Sequence, residues 1–281
     1  MSKLLLLGNS VNRLGAGPSW PDVVQALAGL AHLQHPVAVN GKPLPIVYEH
    51  IVCRNGCDEN AIKRSLAQSM RSLAPNWAHQ RALELASSNL LTTNYDYCFE
   101  ASSGRGRRRA HLYRESTYSA FRRARVGTRF VWHIHGELDA PRTLLLGFHQ
   151  YAGYVQKLRA YLTANRKTSP FHRGEQDFES RGVRFSWVDL FLRDDVHIAG
   201  LTLDYVELHL WWLIAYKLRI MSKSASCGST HFYHLREGEE RADVLARLSL
   251  LEDLGVGVTR IDVKGDWERA HRDVFDRIEA A

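Results

Sequence analysis

The chain of 281 residues holds only four cysteines, Cys53, Cys57, Cys98 and Cys227, and no Cys-x-x-Cys pair. Thiols this scattered exclude a disulfide framework and a structural zinc ribbon, which needs two close pairs. No apolar run approaches the roughly 18 to 20 residues that cross a bilayer. The run Lys3-Leu4-Leu5-Leu6-Leu7 is too short for the core of a secretory signal, and no small-residue cleavage site follows it. A cytoplasmic protein without membrane contact is expected. Internal repeats are absent. Acidic residues are scarce in one stretch: between positions 103 and 129, nine arginines stand against a single acid, Glu115. That segment carries more than the formal excess of +7 of the whole chain.

What is present fits one large α/β domain spanning 1–281, with 21–88 a helical insertion or cover. Lys3-Leu4-Leu5-Leu6-Leu7 reads as a buried parallel strand running into the turn Gly8-Asn9-Ser10-Val11-Asn12-Arg13, with a helix starting near Trp20. Residues 46–52 read as a strand, and Asp58 or Asn60 and then Asn76 as helix caps. Asn89-Leu90-Leu91-Thr92-Thr93-Asn94-Tyr95-Asp96 is a short apolar run that delivers an amide to its carboxyl end, where open α/β sheets hold ligands. Phe130-Val131-Trp132-His133-Ile134-His135-Gly136 alternates like a strand and stops on a histidine and a glycine.

Residues 143–147 then read as a short strand, 149–162 as a helix, and 165–182 as an exposed polar loop. Val196-His197-Ile198-Ala199-Gly200 is a further strand ending in glycine. A long helix is expected from Asp204, with Glu207 in its first turn and Leu208, Trp211, Trp212, Ala215 and Leu218 on its apolar face. Strands at 230–235 and 258–261, each with a helix after it, complete the alternation. Such alternation argues for a mostly parallel sheet with helices on both faces.

Four segments in this order resemble the SIR2-like family: the first strand with Gly8 to Arg13 and Trp20, then Thr92-Thr93-Asn94-Tyr95-Asp96, then Trp132-His133-Ile134-His135-Gly136, then the stretch from Val196 to Trp212. The resemblance implies a Rossmann-like fold in which Asn94 and His135 face the nicotinamide ribose of NAD. Sirtuin deacylases carry two cysteine pairs downstream of the histidine, and here only Cys227 lies downstream. The chain is closer to bacterial stand-alone SIR2-like proteins without that ribbon, which hydrolyse NAD as effectors of anti-phage defence. On this resemblance NAD is the substrate and no metal is required. Gly8, Asn9, Asn12 and Arg13 would hold the pyrophosphate; Thr93 and Asp96 belong to the cofactor-binding set, Asp96 orienting Asn94 or His135 or fixing the turn after the strand. Gly200, Thr202, Asp204 and Glu207 would border the adenosine end. Ser10 stands where the family has a second glycine, and its N–H remains able to serve a phosphate.

Cleaving the nicotinamide–ribose bond requires holding the ribose, stabilising positive charge at C1′ and admitting water. The amide of Asn94 can donate to one partner while accepting from another, which suits orienting ribose hydroxyls and water. His135 suits a general base acting through a hydroxyl or water. Against this stand plainer readings: Asn94 satisfying backbone groups at a strand end, His135 as a core histidine, and His133 with His135 as a metal pair lacking a third ligand. The whole chain could equally be a non-catalytic nucleotide-binding interaction module. The lack of a fused sensor domain points to activation by a separately encoded partner or by homo-oligomer rearrangement. The stretch from Arg105 to Arg125 reads first as solvated surface; contact with an acidic partner, or with nucleic-acid phosphates, is the less favoured alternative.

Overall fold

The strand Lys3–Leu7 (β1) runs through the middle of the computed structural model, which describes residues 2–31, 37–39, 41–54, 58–110, 115, 117–163, 186–222 and 227–281. Its leucines are unbroken because both faces are covered: Leu4 and Leu6 enter one core, Leu5 and Leu7 the opposite one. Each of the four is essentially inaccessible, and burying a leucine stabilises by about 1.5–3 kcal/mol. Asn89–Thr92 (β2) and Asp195–Ala199 (β6) flank β1, both parallel to it. Outside β2 lies Arg129–His133 (β5), and outside β6 lie Thr230–Arg236 (β7) and Gly257–Asp262 (β8), all parallel. Arg108–Arg109 (β3) and Ala124–Val126 (β4) add an antiparallel edge, completing the order β3-β4-β5-β2-β1-β6-β7-β8. The arginine cluster, expected as a loop, thus contributes its Arg108 and Arg109 to an edge strand.

The α/β class, the mostly parallel sheet and the helices on both faces all hold. On one face pack Phe148–Thr163 (α6), Trp187–Arg193 (α7), Leu208–Met221 (α8) and Ala242–Asp253 (α9). On the other lie Trp77–Leu85 (α4) and Trp267–Ala280 (α10), with Cys98–Ser102 (α5) contributing Phe99. The third cluster joins Trp20–Leu30 (α1), Leu44–Arg54 (α2) and Glu59–Ser69 (α3) to Tyr95, Leu138, Leu144 and Leu146 beside the strand ends. Asp58 and Asn76 cap α3 and α4 as their positions suggested.

Three expectations fail. Residues 46–52 lie in α2, not a strand: Pro45 fits a first helical turn, where its missing N–H costs nothing, and Val47, Tyr48 and Ile51 are buried at helical spacing. Residues 143–147 form no strand; the 3-10 turn Pro141–Thr143 leads into an extended stretch that buries Leu144, Leu145 and Leu146. The helix expected from Asp204 begins at Leu208, because Asp204 to Val206 form a turn in which Asp204 O accepts from Glu207 N–H at 2.9 Å. Glu207 is therefore at the cap, outside the first turn. The buried face of α8 is His209, Leu210, Leu213, Ile214 and Lys217, while Leu218 is exposed and Trp211 and Trp212 are half-buried against the core. The polar stretch 165–182 lies outside the described residues.

Candidate functional site

The chain turns one way after β1 towards β2 and β5, and the other way towards β6, β7 and β8. Such a switch point leaves the crevice where parallel sheets take ligands. Here the loops are knitted by backbone bonds: Gly8 N–H donates to Ala199 O at 3.0 Å, Ser10 N–H to Gly200 O at 3.2 Å, and Thr93 N–H to Leu7 O at 3.1 Å. Gly8 allows this closeness, since a Cβ there would sit 2.1 Å from Leu201 Cδ2 and 2.5 Å from Gly200 O. Gly200 has φ +74°, a conformation that favours glycine. The Ser10 N–H is thus committed to Gly200, and its hydroxyl bonds His271 Nε2 at 2.9 Å, so the amide expected to serve a phosphate is engaged.

Asn94 sits just past β2, buried. Its N–H donates to Thr92 Oγ1 at 3.0 Å, and its Nδ2 makes only a long 3.4 Å contact to Gly8 O, leaving amide capacity for another partner. Its carbonyl accepts from His133 Nδ1 at 2.9 Å, and His133 Nε2 meets Glu100 Oε1 at 2.8 Å. Burial by itself would push the His133 pKa down, but the Glu100 carboxylate outweighs it and raises it to about 9. His133 is therefore a cation that locks the Asn94 backbone. Both its nitrogens are engaged, which removes it from a metal pair with His135.

Asp96 is bound on both oxygens: Asn12 Nδ2 donates at 2.7 Å and Cys98 N–H at 3.0 Å. Asn12 also accepts on Oδ1 from His79 Nε2 at 2.8 Å, while His79 Nδ1 accepts from Asn76 N–H at 3.1 Å. Those bonds fix a neutral imidazole with its proton on Nε2, consistent with a pKa lowered by burial. Asn9 Oδ1 accepts from Asn12 at 3.1 Å, and Asn9 Nδ2 donates to Pro18 O at 2.7 Å. Asp96, Asn12 and Asn9 thus tie the loop after β1 to the loop after β2. The ligand atoms of His79, Asp96 and Cys98 lie within 4.8 Å of one another. A metal would need these ligands deprotonated, yet burial holds the Cys98 thiol well above its usual range, and Asp96 and His79 are consumed by hydrogen bonds. The donor set suits a hydrogen-bonded network rather than a metal centre.

His135 lies beyond β5, where Gly136, at φ +99°, turns the chain so tightly that a Cβ would stand 2.3 Å from Thr143 O. Its Nε2 is 2.9 Å from Nε2 of His209 on α8, and Tyr151 of α6 meets the edge of its ring. Burial lowers the His135 pKa to about 3, and that of His209 is held well below its usual value, through burial and then through His135. Glu207, one residue before α8, has its carboxyl raised to about 8 by burial and then by Asp204, with Arg247 opposing; its Oε2 has no partner. The Glu207 carboxylate also raises the pKa values of Tyr95 and Tyr151, secondary to their burial. His209 Nδ1 is a buried polar atom without a partner, an arrangement that costs about 1–3 kcal/mol.

Arg13, Thr202 and Asp204 are exposed and make no hydrogen bond to Asn94 or His135. Thr93 is buried beside Asn94. His209, Tyr151, His79, and the pair His133 and Glu100 were not among the expected site residues. A lone histidine within the apolar run Leu208-His209-Leu210-Trp211-Trp212 was the signal for the first. In the arginine-rich segment, Arg107 and Arg109 reach Asp139 at 2.6 and 2.8 Å, joined there by Arg71 at 2.8 Å, and Arg122 pairs with buried Glu137 at 2.9 Å. Much of that charge therefore pins the edge hairpin to the loop after His135.

Asn94 and His135 thus lie just past neighbouring parallel strands, at the carboxyl ends of β2 and β5 beside the switch point. Residues 88–173 match the family model described as SIR2-like domain, in agreement with the SIR2-like assignment from the motifs. The match takes in Asn94, Asp96, His133 and His135, and such a domain points broadly to chemistry on NAD. No curated protein matches the chain. No helix among the described residues is long and apolar enough to cross a membrane.

Proposed function

We propose that the protein is an NAD glycohydrolase, cleaving NAD to nicotinamide and ADP-ribose. The observation that carries this reading is Asn94: its backbone is clamped by the His133–Glu100 pair while its side-chain amide keeps hydrogen-bonding capacity at the switch point. Such a clamp is what a residue needs to hold a ribose hydroxyl and an attacking water in one geometry, and preorganisation of this kind lowers the barrier without new contacts in the transition state. His135 receives the proton released as water adds at C1′. The bond from C1′ to nicotinamide breaks, and its electron pair leaves with the ring, which departs neutral.

Both residues are shut off from solvent, Asn94 at 5% and His135 at 3% exposure, so substrate entry requires movement of the surrounding loops. That closure supports an effector held inactive until a separately encoded partner or a change of oligomeric state opens it, in keeping with a role in anti-phage defence. The alternative is a non-catalytic nucleotide-binding module; the Ser10 N–H, already spent on Gly200 O, is one phosphate donor fewer in either reading. Nicotinamide release by the protein, alone and with products of adjacent genes, separates the two. Wild type should consume NAD under at least one condition, and Asn94→Ala and His135→Ala should each lose about 100-fold or more with folding intact. Tight NAD binding with no turnover anywhere would favour the binding module.

A further inference from the structure

His135 and His209 form a buried imidazole pair from separate elements, the loop after β5 and the first turn of α8. Their Nε2 atoms are 2.9 Å apart and their ring centroids 4.7 Å apart, with the planes steeply crossed. A contact this short between two ring nitrogens requires one to carry the proton and the other to accept it. Among the described residues His209 Nδ1 has no partner whichever way the bond runs, so the contact to His135 is the one hydrogen bond seen for this fully buried ring. His135, in contrast, is left with Nδ1 as its unengaged nitrogen, and that atom is not among the buried orphans.

We propose that His209 is the positioning partner of His135: it accepts the Nε2 proton and fixes the tautomer whose bare Nδ1 faces the ribose. The catalytic part rests on the NAD-hydrolase reading above, whereas the tautomer does not. In the step itself, an O–H bond of a ribose hydroxyl or of the attacking water breaks, and its proton goes to His135 Nδ1. The Nε2–H of His135 stays donated to His209 Nε2, and the positive charge remains on His135.

The aromatic groups facing the pair do not compete for the shared proton. Tyr151 of α6 lies 5.7 Å from the His135 ring and 5.6 Å from that of His209, and Tyr154 lies 5.2 Å from His209. Burial keeps both phenols protonated far beyond neutral pH. At the cap of the same helix, burial holds the Glu207 carboxyl up, and Arg247 of α9 opposes that shift. The pair is thus two neutral imidazoles joined by one hydrogen bond, which fixes the ring of His135 and its tautomer.

The test is ¹⁵N imidazole NMR on the full chain, with signals assigned through His135→Gln and His209→Gln, alongside nicotinamide release by wild type, His209→Phe and His209→Gln. The expected result is His135 protonated on Nε2 and His209 on Nδ1 in wild type, with His135 turning to mixed tautomers in His209→Phe. That variant should lose about 100-fold in kcat with KM unchanged, and His209→Gln, which can still accept from His135, should regain about tenfold. Should the Phe variant fail to fold, the wild-type tautomers and the Gln variant carry the test. A wild-type His135 protonated on Nδ1, or a folded His209 variant with unaltered tautomer and kcat, overturns the proposal. If wild type releases no nicotinamide under any condition, the hydrolase reading falls, while the NMR still decides whether His209 sets the tautomer.

Discussion

At the scale of single residues, buried titratable groups settle what the site can do. His133 and His135 are two positions apart, yet one is held charged and the other neutral. The difference is one carboxylate: Glu100 lies 2.8 Å from His133, whereas His135 has only another imidazole at that distance. Removing one member of a buried pair leaves an uncompensated charge, which is more damaging than never having had the pair. Glu100→Gln should therefore destabilise the protein by about 3–5 kcal/mol in urea unfolding at pH 7. Because His133 is raised above its unfolded value, its contribution is full below about pH 6.5 and is lost as pH rises towards 9. The gap between wild type and the variant should narrow along that rise. A gap that is small at pH 7, or constant to pH 9, would show that His133 is not the charged clamp.

At the scale of elements, the strands were legible and some helices were not, for a physical reason. β1, β2, β5 and β6 are short apolar runs whose ends are marked by Gly8, Asn94, Gly136 and Gly200, and both signals are local. Residues 46–52, in contrast, are β-branched and aromatic, so local propensity reads as strand while α1, α3 and the loop around Leu144 supply the helical packing. The face of α8 was misread by about one residue of rotation. Leu208, Trp211 and Leu218 make a plausible stripe, but the sheet takes the neighbouring one, containing His209 and Lys217, because Lys217 Nζ is satisfied by the carbonyls of Phe191, Asp194 and Ser229. No pattern of hydrophobicity reveals a lysine caged by three backbone oxygens, and the same error hid His209. The rotation has a direct check. Leu213→Ala should cost about 2–5 kcal/mol, whereas Leu218→Ala should stay within about 0.5 kcal/mol. Equal costs would return the helix to the face read from its sequence.

At the scale of the whole molecule, these shifted groups act together on stability. His135, with a pKa of about 3, and His197, with one of about 4, are lowered chiefly by burial, and His209 too is held well below its usual value. Between those values and the unfolded value near 6.5, the unfolded chain binds protons that the folded one refuses. Each such histidine thus contributes stability as pH rises, about 1.4 kcal/mol per pH unit while the difference is complete. Glu207 works the other way: its carboxyl, raised to about 8, stays protonated in the folded state, so from about pH 4.5 upwards ionisation favours unfolding. Three histidines outweigh one glutamate below pH 6.5. Above it the histidines are neutral in both states, and Glu207 and His133 are left to erode stability as pH climbs towards 8 and 9. Unfolding free energy should therefore pass through a maximum near pH 6.5, falling more steeply on the acid side. Urea unfolding at half-unit steps from pH 4.5 to 9 would reveal this shape. Glu207→Gln should flatten the alkaline limb while leaving the acid limb in place. A stability that keeps rising to pH 8 would mean that Glu207 is ionised in the folded protein, and the largely uncharged environment described around the His135–His209 pair would then be wrong.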